Sequence, residues 1–183
     1  QKGKHEWVYD LDITSMYPSI IMSLNISPET KLGKLDSWDV EPFLKGVDRT
    51  YTIKDKNGKE SAKLTTGEFQ NFLKDNNVSI SSNGVLYTQD RRGLIPTLLE
   101  KWFDDRVQFR KLAKKFADEG DKEKYAYFDR RQYIQKVVLN SLYGVLGLPI
   151  FRFYDLDNAE ATTTTGVELI KYTKRMSNHY YNS

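Results

Sequence analysis

The segment LIPTLLEKWFDDRVQFRKLAKKFA, residues 94–117, is followed after a short polar break by KYAYFDRRQYIQKVVLNSLYGVL, residues 124–146. Apolar side chains recur in the first segment at helical spacing, and Pro96 lies near its start, where a helix tolerates proline. The second segment resumes the helical period after residues 119–123. Because the connection is short, the sequence predicts two long helices packed antiparallel as a hairpin.

Basic residues are concentrated in the first of these helices. The run from residue 106 to residue 115 has no acidic member, and it contains Arg106, Arg110, Lys111, Lys114 and Lys115. Helical spacing places Arg106, Arg110 and Lys114 on one face. A solvated helix face is the simpler interpretation, and a phosphate-binding surface is the alternative. The net charge of +3 is too small to decide between them.

The segments on either side of the hairpin carry shorter signals. Before it, residues 7–13 have the aromatic and β-branched side chains of a strand, and residues 15–24 favour a short helix with Pro18 in its first turn. After it, residues 150–154 favour a strand and residues 158–180 a helix. Together these elements predict an α+β fold.

Residues 31–90 have weaker signals. A hairpin turn is predicted at residues 55–58, where the sequence is Asp-Lys-Asn-Gly, and a helix at residues 65–74. The remainder shows no sustained period. We therefore expect an irregular α+β region there.

The composition restricts the kinds of metal site and the cellular location. The chain has no cysteine and two widely separated histidines, so any bound metal is expected to be a hard cation on oxygen ligands. It has no run of the roughly 18 apolar residues that a membrane span needs. We therefore expect a soluble cytoplasmic protein with no membrane partner.

The string Asp12-Ile-Thr-Ser-Met-Tyr-Pro-Ser-Ile-Ile21 places a carboxylate at the end of the predicted strand, before a turn and a helix. Such a carboxylate can bind a divalent cation, while backbone amides at the helix start face phosphate oxygens. Taken alone, Asp-x-x-Ser is more simply an aspartate that closes a strand before a capped helix. The longer string of residues 12–19 favours the metal-binding interpretation, because it resembles a known signature.

Two strings resemble the signatures of family B DNA polymerases. Residues 12–19 resemble the first palm signature of that family, and Lys136-Val-Val-Leu-Asn-Ser-Leu-Tyr-Gly144 resembles its fingers signature, Lys-x-x-x-Asn-Ser-x-Tyr-Gly. They occur in the family's order, and the resemblance extends over nearly the whole chain. Further segments look most like the replicative polymerases of T-even-like phages: residues 25–30, 82–87, 93–96 and 151–156.

The resemblance implies a division of the chain and roles for individual residues. Residues 1–93 would form part of the palm with an insertion, residues 94–147 the helical hairpin of the fingers, and residues 148–183 a strand and helix that return to the palm. The implied metal ligands of two Mg²⁺ ions are the carboxylate of Asp12 and the carbonyl of Ile13.

The incoming nucleotide would contact both signatures. Backbone amides of Ser15 and Met16 would bind the triphosphate, and Tyr17 would lie beneath the sugar as a steric gate against a 2′-hydroxyl. Tyr143 and Gly144 would pack against the nascent base pair. The implied triphosphate contacts from the hairpin are Arg106, Arg110, Lys136 and Asn140. Of these, Lys136 would also act in the chemical step with Asp12.

The implied reaction is template-directed addition of a deoxynucleotide to a primer. Its partners would be primer-template DNA, deoxynucleoside triphosphates and the remainder of the polymerase, including the exonuclease, the thumb and a Tyr-Gly-Asp-Thr-Asp-Ser hairpin. No segment here resembles these parts, so we expect the chain alone to be inactive. Tyr154-Asp155-Leu-Asp157 is a poor substitute for the hairpin because it lacks the glycine and serine.

Two alternatives remain at this point. The chain could be a non-catalytic nucleic-acid-binding module that retains its basic helices, although binding alone would need neither Asp12 nor Tyr17. It could also come from a protein-primed member of the same family, which the T-even-like segments disfavour.

Overall fold

The computed structural model describes Gly3 and residues 12–182. The predicted strand at residues 7–13 therefore lies outside the described residues, apart from Asp12 and Ile13. In this part of the chain the elements, in order, are α1 (Met16–Leu24), β1 (Lys31–Asp36), α2 (Val40–Leu44), β2 (Thr50–Asp55), β3 (Glu60–Thr65), α3 (Thr66–Asp75), β4 (Val78–Ile80), β5 (Val85–Thr88), α4 (Leu94–Asp118), α5 (Lys122–Leu146) and α6 (Leu156–Asn182). The α+β class predicted from the sequence is confirmed.

The five strands form one antiparallel sheet in the order β3-β2-β1-β5-β4. The predicted turn at residues 55–58 joins β2 to β3, and the Asp55 carboxylate stabilises it by accepting hydrogen bonds from the amides of Asn57 at 2.8 Å and Lys59 at 2.9 Å. The expectation that residues 31–90 form an irregular region was wrong, because most of them belong to this regular sheet and its helices. The strands are short and carry many charged side chains, so their alternation is weak in the sequence.

Two apolar cores lie on either side of this sheet region. The smaller one packs α3 against the sheet and contains Leu35, Tyr51, Ile53, Phe69 and Leu86. The larger one joins α1 to β5 and the three long helices, and its buried members are Ile20, Ile21, Ile26, Val85, Tyr87, Ile95, Leu99, Leu139, Leu146 and Ala161. Because α1 contributes to this core, its N-terminal end is fixed relative to α4, α5 and α6.

Helices α4 and α5 form the predicted antiparallel hairpin. Residues 119–121 connect them, and the Asp121 carboxylate caps α5 by accepting a hydrogen bond from the Lys124 amide at 3.0 Å. Near the connection, the rings of Phe116 and Phe128 stack with centroids 5.5 Å apart. None of the described helices is long and apolar enough to cross a membrane.

The strand predicted at residues 150–154 is absent, and this segment forms consecutive turns. The amide of Phe151 donates to the Leu148 carbonyl and the amide of Tyr154 to the Phe151 carbonyl, each at 2.9 Å. The turns allow both Phe151 and Phe153 to pack against the larger core. The alternating rings that predicted a strand are thus accommodated by a turn, and α6 then begins at Leu156, close to its predicted start.

Candidate nucleotide and metal site

The turn before α1 provides no side-chain cap for the start of that helix. Ser15 has φ 52° and ψ 45°, in the left-handed region, and its side chain makes no capping hydrogen bond. The first intrahelical bond, from the Ser19 amide to the Ser15 carbonyl, is 2.9 Å long. The backbone amides of the first turn, including Met16, are therefore not satisfied by a Ser15 cap, and a helix start in this state favours an anion.

Asp12, Ile13 and Met16 line a cleft of about 360 Å³ between this turn and the C-terminal half of α6. The α6 side of the cleft is formed by Ile170, Thr173, Lys174, Ser177 and Asn178. Asp12 is exposed, and it is the only carboxylate lining the cleft among the described residues. No group of three potential ligands from histidine, aspartate or glutamate occurs in the described part of the chain.

Tyr17 of α1 and Tyr143 of α5 are in direct contact. Their rings stack with centroids 4.4 Å apart and an angle of 24° between planes. The Tyr143 hydroxyl lies beside the side chain of Thr163 in α6. Burial, with a smaller contribution from Tyr17, raises the pKa of Tyr143, so its hydroxyl stays protonated at neutral pH. The two sequence signatures thus meet at this pair of rings.

The basic side chains of the hairpin lie along α4 and α5, between the Tyr17–Tyr143 contact and the connection at residues 119–121. Phe109 of α4 lies beside Arg131 of α5, whose guanidinium is 4.8 Å from the ring centroid. Since the helices are antiparallel, Arg106 lies at the level of the α5 turn that carries Lys136. Arg106 is partly buried, and its Nε atom has no hydrogen-bond partner among the described residues.

The other predicted hairpin residues are accessible. The exposed members of the set are Arg110, Lys136, Asn140 and Gly144. Lys136 and Asn140 are separated by one helical turn, so they project from the same side of α5. The structure therefore presents a polar stripe on this helix, one turn from the stacked tyrosines.

Asp155 and Asp157 are engaged in ion pairs with β1. Lys31 Nζ lies 3.0 Å from Asp155 and 2.7 Å from Asp157, and Lys34 Nζ lies 2.7 Å from Asp157. Burial opposes the charged form of Asp157, but hydrogen bonds from both lysines outweigh it and lower the pKa of the carboxyl. These carboxylates fasten the start of α6 to the sheet.

The sequence did not single out the residues that hold the base of α4. Asn25 is fully buried; its Nδ2 donates to the carbonyls of Thr88 at 2.7 Å and Arg91 at 2.8 Å, and its Oδ1 accepts from the Gly93 amide at 2.9 Å. The Glu29 carboxylate accepts a hydrogen bond from the Leu94 amide, the first of α4. The loop after α1 therefore caps the helix that begins the hairpin. No periodicity in the sequence signals these contacts.

Comparison with known proteins agrees with this arrangement. The sequence model of the family described as DNA polymerase family B matches residues 2–182. The chain belongs to DNA polymerase family B. The DNA-directed DNA polymerase of Escherichia phage RB69 is 27% identical over 229 aligned positions, which cover 98% of this chain and 23% of the phage protein. The DNA-directed DNA polymerase of Enterobacteria phage T4 is also 27% identical and covers 96% of the chain. The predicted resemblance to T-even-like phage polymerases is confirmed.

The chain spans less than a quarter of the length of these family B relatives. The RB69 alignment is longer than the chain itself, so the phage polymerase has additional residues within the matched region. A solved structure of the family B DNA polymerase from Pyrobaculum calidifontis superposes with a TM-score of 0.57 at 26% identity, covering 88% of this chain and 17% of that one. This chain is therefore similar to the Pyrobaculum calidifontis polymerase in fold as well as in sequence.

Proposed function

We propose that this family B segment binds the incoming deoxynucleoside triphosphate and one side of the catalytic metal site during template-directed DNA synthesis. The observation that carries the proposal is the stack of Tyr17 on Tyr143, which joins the two signatures within 4.4 Å although they are far apart in the sequence. In this proposal residues 1–93 and 148–183 belong to the palm, and residues 94–147 are the fingers.

The donors available near α1 fit Mg²⁺ in kind. The Asp12 carboxylate and the Ile13 carbonyl are hard oxygen ligands, and they lie beside an uncapped helix start that favours phosphate. They do not complete a two-metal site, because Asp12 is the single carboxylate of the cleft among the described residues. When bound, paired Mg²⁺ ions would stabilise the attacking and leaving oxygens of the transfer, with a second carboxylate supplied by another part of the polymerase.

The protein's own contribution to the transfer would be to position the triphosphate and neutralise its charge. Amides of Ser15 and Met16 would donate to phosphate oxygens from the palm. Arg106 would donate from α4, where its unpartnered Nε has already been removed from solvent. The remaining contacts would come from the exposed side chains Arg110, Lys136 and Asn140.

The stacked tyrosines would recognise the rest of the nucleotide. Tyr17 would lie beneath the sugar and exclude a 2′-hydroxyl by steric contact. Tyr143 and Gly144 would face the nascent base pair, and the exposed Gly144 has no neighbouring atom within 4 Å of where a Cβ would lie. The partners of the segment would be primer-template DNA, deoxynucleoside triphosphates and the remaining domains of the polymerase.

A specific experiment separates this function from a nucleic-acid-binding module. In the full-length protein, Asp12→Ala should abolish primer extension with Mg²⁺ and deoxynucleotides while leaving primer-template affinity nearly unchanged, because Asp12 binds metal and not DNA. The 183-residue chain alone should extend no primer above a buffer control. Extension by the isolated chain that Asp12→Ala abolishes would contradict the proposal. Full-length activity that survives Asp12→Ala would favour the binding module.

A further inference from the structure

Helix α6 contains a buried glycine where it passes the start of α1. A Cβ added to Gly166 would lie 3.2 Å from the Met16 Cε atom and 3.4 Å from the Tyr17 Cε1 atom. Glycine weakens a helix interior relative to alanine, so the helix itself gains nothing from it. The benefit lies in the close approach of α1, which brings the edge of the Tyr17 ring against the α6 backbone.

Thr163 lies one turn before Gly166 on the same face of α6. Its side chain lies beside the Tyr143 hydroxyl, and its own hydroxyl donates to the carbonyls of Ala159 at 3.2 Å and Glu160 at 3.1 Å. One face of α6 therefore borders both members of the stacked pair: Gly166 faces the edge of Tyr17, and Thr163 lies beside the hydroxyl end of Tyr143. Neither residue belongs to the two signatures.

We propose that Gly166 and Thr163 are positioning residues that determine how strictly the polymerase distinguishes deoxyribonucleotides from ribonucleotides. The inference rests on the proposed function of Tyr17 as the sugar gate. A gate that detects a single hydroxyl by contact depends on its ring position to within tenths of an ångström. In this structure α6 borders that position, because Gly166 allows the close approach of the Tyr17 edge and Thr163 lies beside the ring on which Tyr17 stacks.

The packing leaves Tyr17 little room to absorb a change. The 3.2 Å contact between a new Cβ and Met16 Cε is shorter than almost all real Cβ contacts, so the Met16 side chain would have to move by a few tenths of an ångström, and Tyr17 Cε1, at 3.4 Å, would be in direct contact with the new methyl group. Tyr17 cannot retreat towards Tyr143, because the ring centroids are already 4.4 Å apart. We therefore expect an added methyl group at residue 166 to press on the edge of the Tyr17 ring, directly and through the displaced Met16 side chain.

The test uses the full-length polymerase carrying Gly166→Ala. The kcat/KM for one deoxynucleoside triphosphate is compared with that for the matching ribonucleotide in primer extension. The ratio should fall at least threefold relative to wild type, while deoxynucleotide incorporation remains measurable. Gly67→Ala is the matched control, because Gly67 is also in a helix but has nothing within 4 Å of its Cβ position. That control should leave the ratio unchanged.

Substitutions of Thr163 provide a second test that changes the packing less than Gly166→Ala does. Thr163→Val keeps the side-chain shape but removes the hydroxyl that lies beside Tyr143, so the ratio should also fall. Thr163→Ser retains the hydroxyl and should recover most of the wild-type ratio. This comparison remains informative if Gly166→Ala impairs folding, because loss of packing volume alone would affect the serine variant more than the valine variant.

Tyr17→Ala distinguishes failure of this inference from failure of the proposed function. If Tyr17→Ala lowers the ratio while both Gly166→Ala and Thr163→Val leave it unchanged or raise it, α6 does not position the gate and the inference is wrong. If Tyr17→Ala itself leaves the ratio unchanged, Tyr17 is not the gate, and the assigned role of Tyr17 is rejected together with the inference.

Discussion

Asn25 offers the clearest test of how the base of α4 is held. Asn25→Ala removes three hydrogen bonds, to the Thr88 and Arg91 carbonyls and from the Gly93 amide. The Gly93 amide is buried, and an unsatisfied buried donor costs about 1–3 kcal/mol. Thr88 is partly buried, and the loss of its carbonyl's partner adds roughly 1 kcal/mol, whereas Arg91 is an exposed residue and its carbonyl is assigned no cost.

The backbone at residue 25 adds a further cost. Asn25 has φ 60° and ψ 42°, a left-handed conformation that disfavours alanine by about 1–2 kcal/mol. The expected loss in the free energy of unfolding is therefore about 3–6 kcal/mol for Asn25→Ala. Asn25→Gly relieves the backbone strain but loses the same hydrogen bonds, so it should be less damaging by about 1 kcal/mol.

Urea denaturation followed by circular dichroism measures these differences in the 183-residue chain. Asn76→Ala is the control, because Asn76 is exposed and its amide donates one hydrogen bond, to the Phe72 carbonyl at 2.9 Å. Its cost should be below about 1 kcal/mol. If Asn25→Ala costs no more than this control, the three hydrogen bonds do not hold the base of α4 and the reasoning is wrong.

Three further predictions concern the nucleotide site and the ion pairs. Tyr17→Ala in the full-length enzyme should admit ribonucleotides while largely preserving deoxynucleotide incorporation, measured as a ratio of kcat/KM values. Lys136→Ala should lower kcat/KM by about 2–4 kcal/mol in transition-state free energy, because its charge would follow the phosphates into the transition state; Lys136→Arg should recover little. Because the pKa of Asp157 is lowered in the folded state, its ion pairs stabilise the fold above the ordinary aspartate pKa of about 3.9 and are lost as the pH falls through the folded-state pKa. Asp157→Asn should therefore destabilise the chain at neutral pH and converge with wild type in acid, as measured by urea denaturation at a series of pH values.

Each of these has an outcome that would contradict it. An unchanged discrimination ratio in Tyr17→Ala would remove the gate assignment. Lys122 is an exposed lysine at the other end of α5, and Lys122→Ala is the control. If Lys136→Ala has the same kinetics as Lys122→Ala, Lys136 does not bind phosphate and is only part of a solvated helix face. An Asp157→Asn destabilisation that is constant with pH would show that packing and not charge is lost.

The long helices could be predicted from the sequence because their apolar period persists over several turns. The sheet at residues 31–90 could not, since its strands are short and its exposed faces carry lysine and glutamate. The rings at positions 151 and 153 misled the prediction because alternation over so few residues does not distinguish a strand from a turn that buries both rings.

The candidate site was predictable in its residue identities and not in its contacts. The signatures supplied Asp12, Tyr17 and Lys136 by resemblance, and the roles of these residues stay predictions. The stack of Tyr17 on Tyr143 and the pairing of Lys31 with Asp155 join residues more than 100 positions apart, and no local pattern encodes such distances. The sequence did not predict a role for Gly166. A glycine within a helical pattern indicates only a weaker helix, unless the structure shows which residues pack against it.

The capped base of α4 also has a mechanical meaning. The helix has 25 residues and is therefore about 37 Å long, with one end tied into the loop after α1 and the other packed against α5 beside the connection. A rotation of about 10° around the tied end would carry the far tip through about 6 Å. Arg106, about 18 Å along the axis, would travel about 3 Å, roughly the length of one hydrogen bond. If Arg106 binds the triphosphate as proposed, a rotation of this size at Asn25 and Glu29 would be enough to break that contact.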